Sequence, residues 1–222
     1  GSIVLADAGD GTLADLPKPL PPRDLARFAR GLARAMAELH RREVIHRDLT
    51  PANVVVAADG MPTLVDFALA TSIAEIRPEF THHSEIPGTL AYLAPEQTGR
   101  TGRAVDQRAD LYALGAVLYE LGTGEPPFGV GDPLRLIHDH LARLPAPPAD
   151  VNPDIPEPLS KIVLHLLEKE PDNRYQSADG VIHDLERLRD ARTGHGEFRV
   201  GERDMRAIVI DHGRVKFDGD TE

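Results

Sequence analysis

The run ADLYALGAVLYELGTG, residues 109–124, limits what this chain can fold into more than any other stretch. It is apolar nearly all round, and a helix without a polar face has to be enclosed by other elements rather than laid on a surface. Gly122 and Gly124 are expected to stop it before the PPF that follows. The chain has the material to enclose such a helix: 222 residues, 41% hydrophobic and 27% charged, is the make-up of an ordinary globular protein.

Candidate partners for that helix lie on both sides of it. After the Pro cluster PKPLPP, residues Leu25, Phe28, Leu32, Ala35, Met36 and Leu39 recur at helical spacing, which predicts a helix from about Asp24 to His40 with that stripe in the core. A helix is expected around Pro133 to Leu144. It is followed by the Pro-rich connector PAPPADVNPDIPEP and two amphipathic helices, LSKIVLHLLEKE and SADGVIHDLERLRDA. Strands are fewer. Residues 3–6 read as one, closed by the turn DAGDG, and NVVVAADGMPTLVDFAL reads as two strands around ADG. Thr71 to Pro95 shows little periodicity and predicts a long loop, ordered or switchable, of the kind that carries function in a compact domain. From about Ala191 the pattern changes: RTGHGEF is linker-like, and RAIVIDHGRVKFDGD reads as a hairpin turning at His212 and Gly213.

Composition removes several classes of function. There are no cysteines, so disulfides and thiolate metal sites are excluded. A net charge of -11 argues against nucleic acid or an anionic membrane as partner. No apolar run approaches the roughly 18 residues of a membrane span, and the N-terminus lacks the basic start of a signal peptide, so the chain reads as cytoplasmic. It opens without Met directly on SIVLAD, which suggests that something was cut away upstream or that the initial Gly-Ser is a cloning remnant.

The chemistry is concentrated in VIHRDLTPANVVV, residues 44–56, which sits in the loop between the first long helix and the hairpin. Phosphoryl transfer from ATP needs a group to orient the acceptor hydroxyl, ligands for Mg2+ and contacts that hold the phosphates. Asp48 could accept the hydroxyl proton. Asn53, together with Asp66 of VDFALAT, offers the oxygen ligands that hard cations prefer to imidazole. In order and spacing these motifs resemble the protein kinases. HRDLTPANV is similar to the catalytic loop, DFA to the metal-binding Asp-Phe-Gly, and GTLAYLAPE to the end of the activation segment. DLYALGAVLYELGTGEPPF is similar to the buried central helix of the C-lobe, and NRYQSA to the Arg-bearing close of the domain.

The resemblance covers residues 3 to about 190 and implies an α+β, protein-kinase-like fold: a mainly helical C-lobe with small β-hairpins, the N-lobe largely absent. It divides the chain into the hinge and end of the N-lobe (1–16), the C-lobe (17–190, with the catalytic loop at 44–56 and the activation segment at 66–96), and a linker with a hairpin tail (191–222). The tail also resembles the terminal hairpin of ABC-transporter ATPase subunits, or a connector toward a following module. GTLAYLAPE is similar to the serine/threonine class. The run from Leu144 through Glu186 resembles the kinase domain heading large bacterial signalling proteins, whose ATPase and sensor histidine kinase modules become implied partners beside ATP and a protein substrate.

Position by position, the resemblance implies Asp48 as catalytic base, Asn53 and Asp66 as metal ligands, and Arg47 as receiver of an activation-loop phosphate, with Thr89 lining the acceptor hydroxyl. His46 and Asp110 would brace the catalytic loop, and Glu96 would pair with Arg174 in a partly buried structural ion pair. Leu5 would be the gatekeeper, Ala6 and Ala8 would present the hinge backbone to adenine, and Val55 would lie beneath the base.

Three departures stand out. Thr50 occupies the position of a Lys, so it offers the transferred group a hydrogen bond without a charge, a loss on the order of a few kcal/mol of transition-state stabilisation. Ala68 replaces Gly and restricts the backbone there. Nothing before Ile3 supplies a Gly-rich loop, a strand-borne Lys or its helix Glu, so the chain is expected to begin near the hinge and to be weak or inactive alone. The alternatives are a non-catalytic, pseudokinase-like binding module docking through Pro133 to Leu144, or a truncated gene remnant. Taken singly, His46 reads as a structural histidine, His82 and His83 as solvated loop, and Thr71, Ser72, Thr81, Ser84 and Thr89 as surface hydroxyls open to phosphorylation.

Overall fold

A computed structural model of the chain describes residues 11–72, 89–191, 209–211 and 214–216. The first long helix, α1, runs Pro22–Arg41. Pro22 suits the first helical position because its missing N–H has no acceptor there anyway, and Asp24 in the first turn with His40 and Arg41 in the last complements the helix dipole. Strand β1 (Val44–Ile45) follows, then β2 (Val54–Val56), β3 (Pro62–Leu64) and β4 (Thr71–Ser72). Strands β2 and β3 form the expected antiparallel hairpin, with Val54 opposite Leu64 and Val56 opposite Pro62. The start of the predicted loop at Thr71 is instead a strand paired with β1, Ile45 opposite Thr71.

Helix α2, Gln107–Thr123, is the enclosed helix that its composition requires: every residue from Ala109 to Gly122 is buried. Asp106 caps its N-terminus by accepting from the backbone N–H of Arg108 at 2.8 Å. Its far end corrects an expectation, because Gly122 lies inside the helix and does not stop it. A Cβ there would come within 2.8 Å of Leu25 and 3.0 Å of Ile155, so this glycine permits close packing. Gly124, at φ +98°, is the left-handed cap whose N–H returns to the Glu120 carbonyl at 2.8 Å.

Helices α3 (Pro133–Ala142), α4 (Pro148–Val151), α5 (Glu157–Leu166) and α6 (Ala178–Ala191) complete the body. The Pro-rich connector is thus not featureless, since Pro148 opens the short α4. Helix α2 packs on α1 and α5, and α6 covers another face of α1. Because α1 is contacted from several sides, its buried face is wider than the predicted stripe: Ala29, Ala33 and Ala37 are buried, while Ala35 is only half-buried. The final pair, β5 (Val209–Asp211) and β6 (Arg214–Lys216), is the predicted tail hairpin; its turn at 212–213 lies outside the described residues. The result is an α+β, mainly helical architecture with three two-stranded antiparallel ribbons among the described residues. No described helix is long and apolar enough to cross a membrane.

Candidate functional site

The loop from His46 to Asn53 is anchored from below by Asp110, a fully buried carboxylate in the first turn of α2. Its Oδ2 accepts from the His46 backbone N–H at 2.9 Å, its Oδ1 accepts from the Arg47 N–H at 2.8 Å, and His40 Nε2 lies 2.9 Å from Oδ2. Arg47 sits at φ +66°, a left-handed conformation that costs a non-glycine residue about 1–3 kcal/mol and persists only where its surroundings hold it. The two charge-assisted bonds to Asp110 provide that hold. The His46 side chain, 0% exposed, donates from Nε2 to the Val65 carbonyl at 3.1 Å, and its ring lies 4.9 Å from that of Phe67. The loop is therefore tied both to α2 and to the residue just before Asp66.

Within the loop, Asn53 donates from Nδ2 to the Asp48 carbonyl at 2.8 Å and to Asp48 Oδ2 at 3.1 Å. A 3-10 turn, Pro51–Asn53, makes this possible, with the Thr50 carbonyl accepting the Asn53 N–H at 3.1 Å. Thr50 itself is 7% exposed. Just beyond the hairpin register, the Val65 N–H donates to the Asn53 carbonyl at 3.0 Å, so Asp66 follows directly on the residue paired with Asn53. Asp66 is exposed, holds φ +59°, and accepts from the Ala68 N–H at 3.3 Å. The left-handed backbone thus falls on Asp66 and Ala68 has no positive φ, so alanine in place of glycine introduces no strain in this conformation.

Half-buried Val55 bridges to Thr12, and the Val56 N–H reaches the Gly11 carbonyl at 2.9 Å, which brings residues 11–12 alongside the hairpin. Leu5, Ala6 and Ala8 lie outside the described residues, as do His82, His83, Thr81 and Ser84. Thr89 opens a 3-10 turn, Thr89–Tyr92, close to the second such turn at Pro95–Thr98.

Glu96 and Arg174 form a wholly buried, two-pronged pair, Nη1 to Oε1 at 2.6 Å and Nη2 to Oε2 at 2.8 Å. The same guanidinium donates to the carbonyls of Glu168, Arg108 and Lys169 at 2.6, 3.0 and 2.9 Å, which satisfies every donor direction it has. Gln97 adds a link that sequence reasoning missed: its Oε1 accepts from the Ala94 N–H at 3.1 Å, and its Nε2 donates to the Arg47 carbonyl at 2.7 Å. His40, on Asp110, was missed likewise. Further out, Tyr92 donates to Glu120 Oε2, and Lys18 Nζ meets Glu120 Oε1 at 2.5 Å. Burial and the Glu120 carboxylate hold the Tyr92 phenol far above its ordinary pKa, as a donor.

The arrangement brings Asp48 and Asn53 into direct contact, and the hairpin delivers Asp66 to the same end of the ribbon. No cluster of three or more His, Cys, Asp or Glu residues gathers a metal among the described residues. A pair of oxygen ligands from Asn53 and Asp66 fits Mg2+, which retains water and phosphate oxygens around one or two protein ligands.

The profile of the protein kinase domain matches residues 2–185. The chain is 36% identical over 189 residues to serine/threonine-protein kinase PknB of Mycolicibacterium smegmatis, covering 84% of this chain and 30% of that protein. It is 39% identical over 198 residues to the DNA damage-responsive serine/threonine-protein kinase RqkA of Deinococcus radiodurans, covering 86% and 28%. A probable serine/threonine-protein kinase of Streptomyces coelicolor is 37% identical over 188 residues. The chain spans roughly 30% of the length of these curated relatives.

Proposed function

The chain belongs to the protein kinase domain family, and on that premise we propose that it supplies the C-lobe half of ATP-dependent phosphoryl transfer to a serine or threonine hydroxyl of a protein substrate. The observation that carries this reading is the Asn53 to Asp48 hydrogen bond at 3.1 Å, in a loop whose hairpin also delivers Asp66. Mg-ATP, when bound, supplies the phosphoryl group and neutralises its charge. Asp48 accepts the proton of the incoming hydroxyl, and Asn53 fixes the carboxylate that does so while offering its own side-chain oxygen to the metal. Asp66, at the exposed end of the hairpin, is the second oxygen ligand. Thr50 donates a hydrogen bond toward the transferred group without the charge a lysine brings. Arg47 receives an activation-segment phosphate, and Thr89 lines the acceptor. Leu5, Ala6, Ala8 and Val55 form the adenine side.

The C-lobe spans residues 17–190, which the end of α6 at Ala191 supports, and 191–222 is a linker and tail. The run from Leu144 through Glu186 supports a place at the head of a larger bacterial signalling protein. The test is to supply a compatible N-lobe, carrying a Gly-rich loop and strand lysine, in fusion with residues 1–222. Mg-ATP-dependent phosphorylation of a protein, lost in Asp48→Asn, is the expected result. A folded fusion that binds Mg-ATP and transfers nothing overturns the reading.

A second reading, a binding module docking through α3, is favoured by one specific feature. Four large apolar side chains are exposed around that helix: Val130 (71%), Leu134 (67%), Leu144 (77%) and Val151 (50%). Two of them, Val130 and Val151, line an open cavity of about 800 Å3 whose lining also includes Tyr119, Phe128, Arg135 and Arg143. Exposed apolar groups gathered at one place mark interaction sites. Specific capture of a protein partner that survives Asp48→Asn and fails in Leu134→Asp supports this reading; turnover by the fused chain alone, with no such capture, removes it.

A further inference from the structure

The outer side of α1 carries Arg23, Arg27, Arg30 and Arg34, a spacing that keeps all four within about 60° of one another around the helix. Acidic residues outnumber Lys and Arg by 36 to 25 in the chain, so this basic row runs against its background. Arg23, Arg27 and Arg30 line a cavity of about 430 Å3 together with Pro21 and Asp24. Asp24 offsets one of the three charges, 3.2 Å from Arg27. Arg34 meets Glu186 at 3.2 Å with both side chains still exposed, and Arg23 forms no ion pair among the described residues. Arg27 is also held in place. Its guanidinium lies 5.0 Å from the centre of the Phe28 ring, and a Cβ on Gly60, in the hairpin turn, would stand 3.1 Å from its Nη1. A guanidinium fixed in this way loses little freedom when it takes a carboxylate.

What can reach that row is set by α6. Its Asp179 lies 3.8 Å from Arg41 and its Glu186 lies 3.2 Å from Arg34, so α6 climbs seven residues while α1 descends seven. The two helices are antiparallel, and the end of α6 at Ala191 falls level with about residue 29, in the middle of the arginine row. The chain therefore leaves α6 beside the row. Further along it, FDGDTE, residues 217–222, has carboxylates at Asp218, Asp220 and Glu222 and no cation among them. In an extended chain alternate residues stand about 6.6 Å apart on one side, and the arginines succeed one another at about 4.5–6 Å along the α1 axis. Residues 192–208 alone can span about 55 Å against a row about 16 Å long, so the tether does not limit the reach.

We propose that the arginine row of α1 is a docking site for an extended acidic segment, and that its occupant is this chain's own Asp218, Asp220 and Glu222. Ion pairs on an exposed surface are individually weak and are screened by salt. Tethering supplies a local concentration in the millimolar range, which lets several such pairs together hold the segment. The row lies apart from the phosphoryl-transfer site, and the docking stands whether or not that site is active.

Because the chain has no cysteine, Thr221→Cys gives a single thiol for a nitroxide label between two of the carboxylates. Broadening of backbone amide signals is then measured in the full chain at about 20 mM and about 500 mM salt, where the screening length falls from well above 10 Å to a few ångströms. The expected result is broadening concentrated on residues 23–34, falling at least about fivefold at the higher salt. It is also expected to disappear when Asp218→Asn, Asp220→Asn and Glu222→Gln are combined, and when Arg23→Gln, Arg27→Gln and Arg30→Gln are combined. A mixture of spin-labelled chain with isotope-labelled chain that carries no nitroxide is expected to show none. Broadening centred elsewhere or spread evenly, broadening unchanged by salt or by either set of substitutions, or broadening as strong in the mixture, which would place the segment on a second copy, overturns the proposal.

Discussion

Asn53 holds Asp48 at two points, the backbone carbonyl at 2.8 Å and the carboxylate Oδ2 at 3.1 Å. A side chain proposed to ligate the metal therefore also orients the proposed base. Groups linked in this way act as one unit, and the effects of removing them do not add.

In the N-lobe fusion, Asp48→Asn is expected to lower kcat by about 10²- to 10⁴-fold, the usual contribution of a positioned general base. Asn53→Ala is expected to fall in the same range, and the double variant to be little worse than the weaker single one. Steady-state kinetics of the three variants decide it; strictly multiplicative losses would show that the two residues act independently.

Arg174→Ala is expected to destabilise the chain by about 3–5 kcal/mol, because it leaves the Glu96 carboxylate buried without its counter-ion. Arg174→Lys is expected to recover only part of that loss, since an ammonium cannot reach Glu96 and three carbonyls in the fork geometry. Urea unfolding measures both. A loss within about 0.5 kcal/mol for the alanine variant would contradict the structural role assigned to the pair.

Gly115 lies where α2 meets α5, and a Cβ there would stand 2.7 Å from Leu166 Cβ. Gly115→Val is expected to cost about 1–3 kcal/mol through overpacking, and Leu167→Ala in the same chain, which removes the Cγ that the new Cβ would meet at 3.1 Å, to return part of it. Thermal unfolding of the single and double variants checks this; fully additive losses would mean that the two positions do not touch.

The enclosure of α2 was legible because fourteen consecutive residues are buried, and only an all-round apolar run can supply that. The order of the motifs was equally legible, since the spacing from Asp48 to Asn53 is local and the hairpin joining Asn53 to Asp66 has strong strand and turn signals. The role of Gly122 was not. A glycine that ends a helix and one that admits Leu25 and Ile155 look the same until the neighbours are known. Gln97 and His40 are single polar residues whose partners lie 50 and 70 positions away, and no spacing rule reaches that far. Glu96 and Arg174, at a separation of 78, were found only because a family resemblance supplied the pairing.

Burial, and then the nearby Lys169 charge, depress the His140 pKa from 6.5 to about 3. As pH falls below 6.5 the unfolded chain takes up this proton before the folded one does, so the imidazole's contribution to stability is present above that pH and is lost progressively toward pH 3. His140→Asn is expected to show a shallower loss across this window, by on the order of 1–3 kcal/mol at its acid end. Urea midpoints for both chains from pH 7 to 4 test it, and parallel curves would rule out His140 as a contributor.

The central claim, that Asp48, Asn53 and Asp66 converge around a metal-nucleotide, is tested most directly by substituting Mn2+ for Mg2+ with ADP in the N-lobe fusion and recording paramagnetic broadening of backbone amide signals. Broadening centred on Asn53 and Asp66, extending to Asp48 and abolished by Asp66→Ala, is the predicted result. Broadening centred elsewhere, or unchanged by that substitution, would contradict the account.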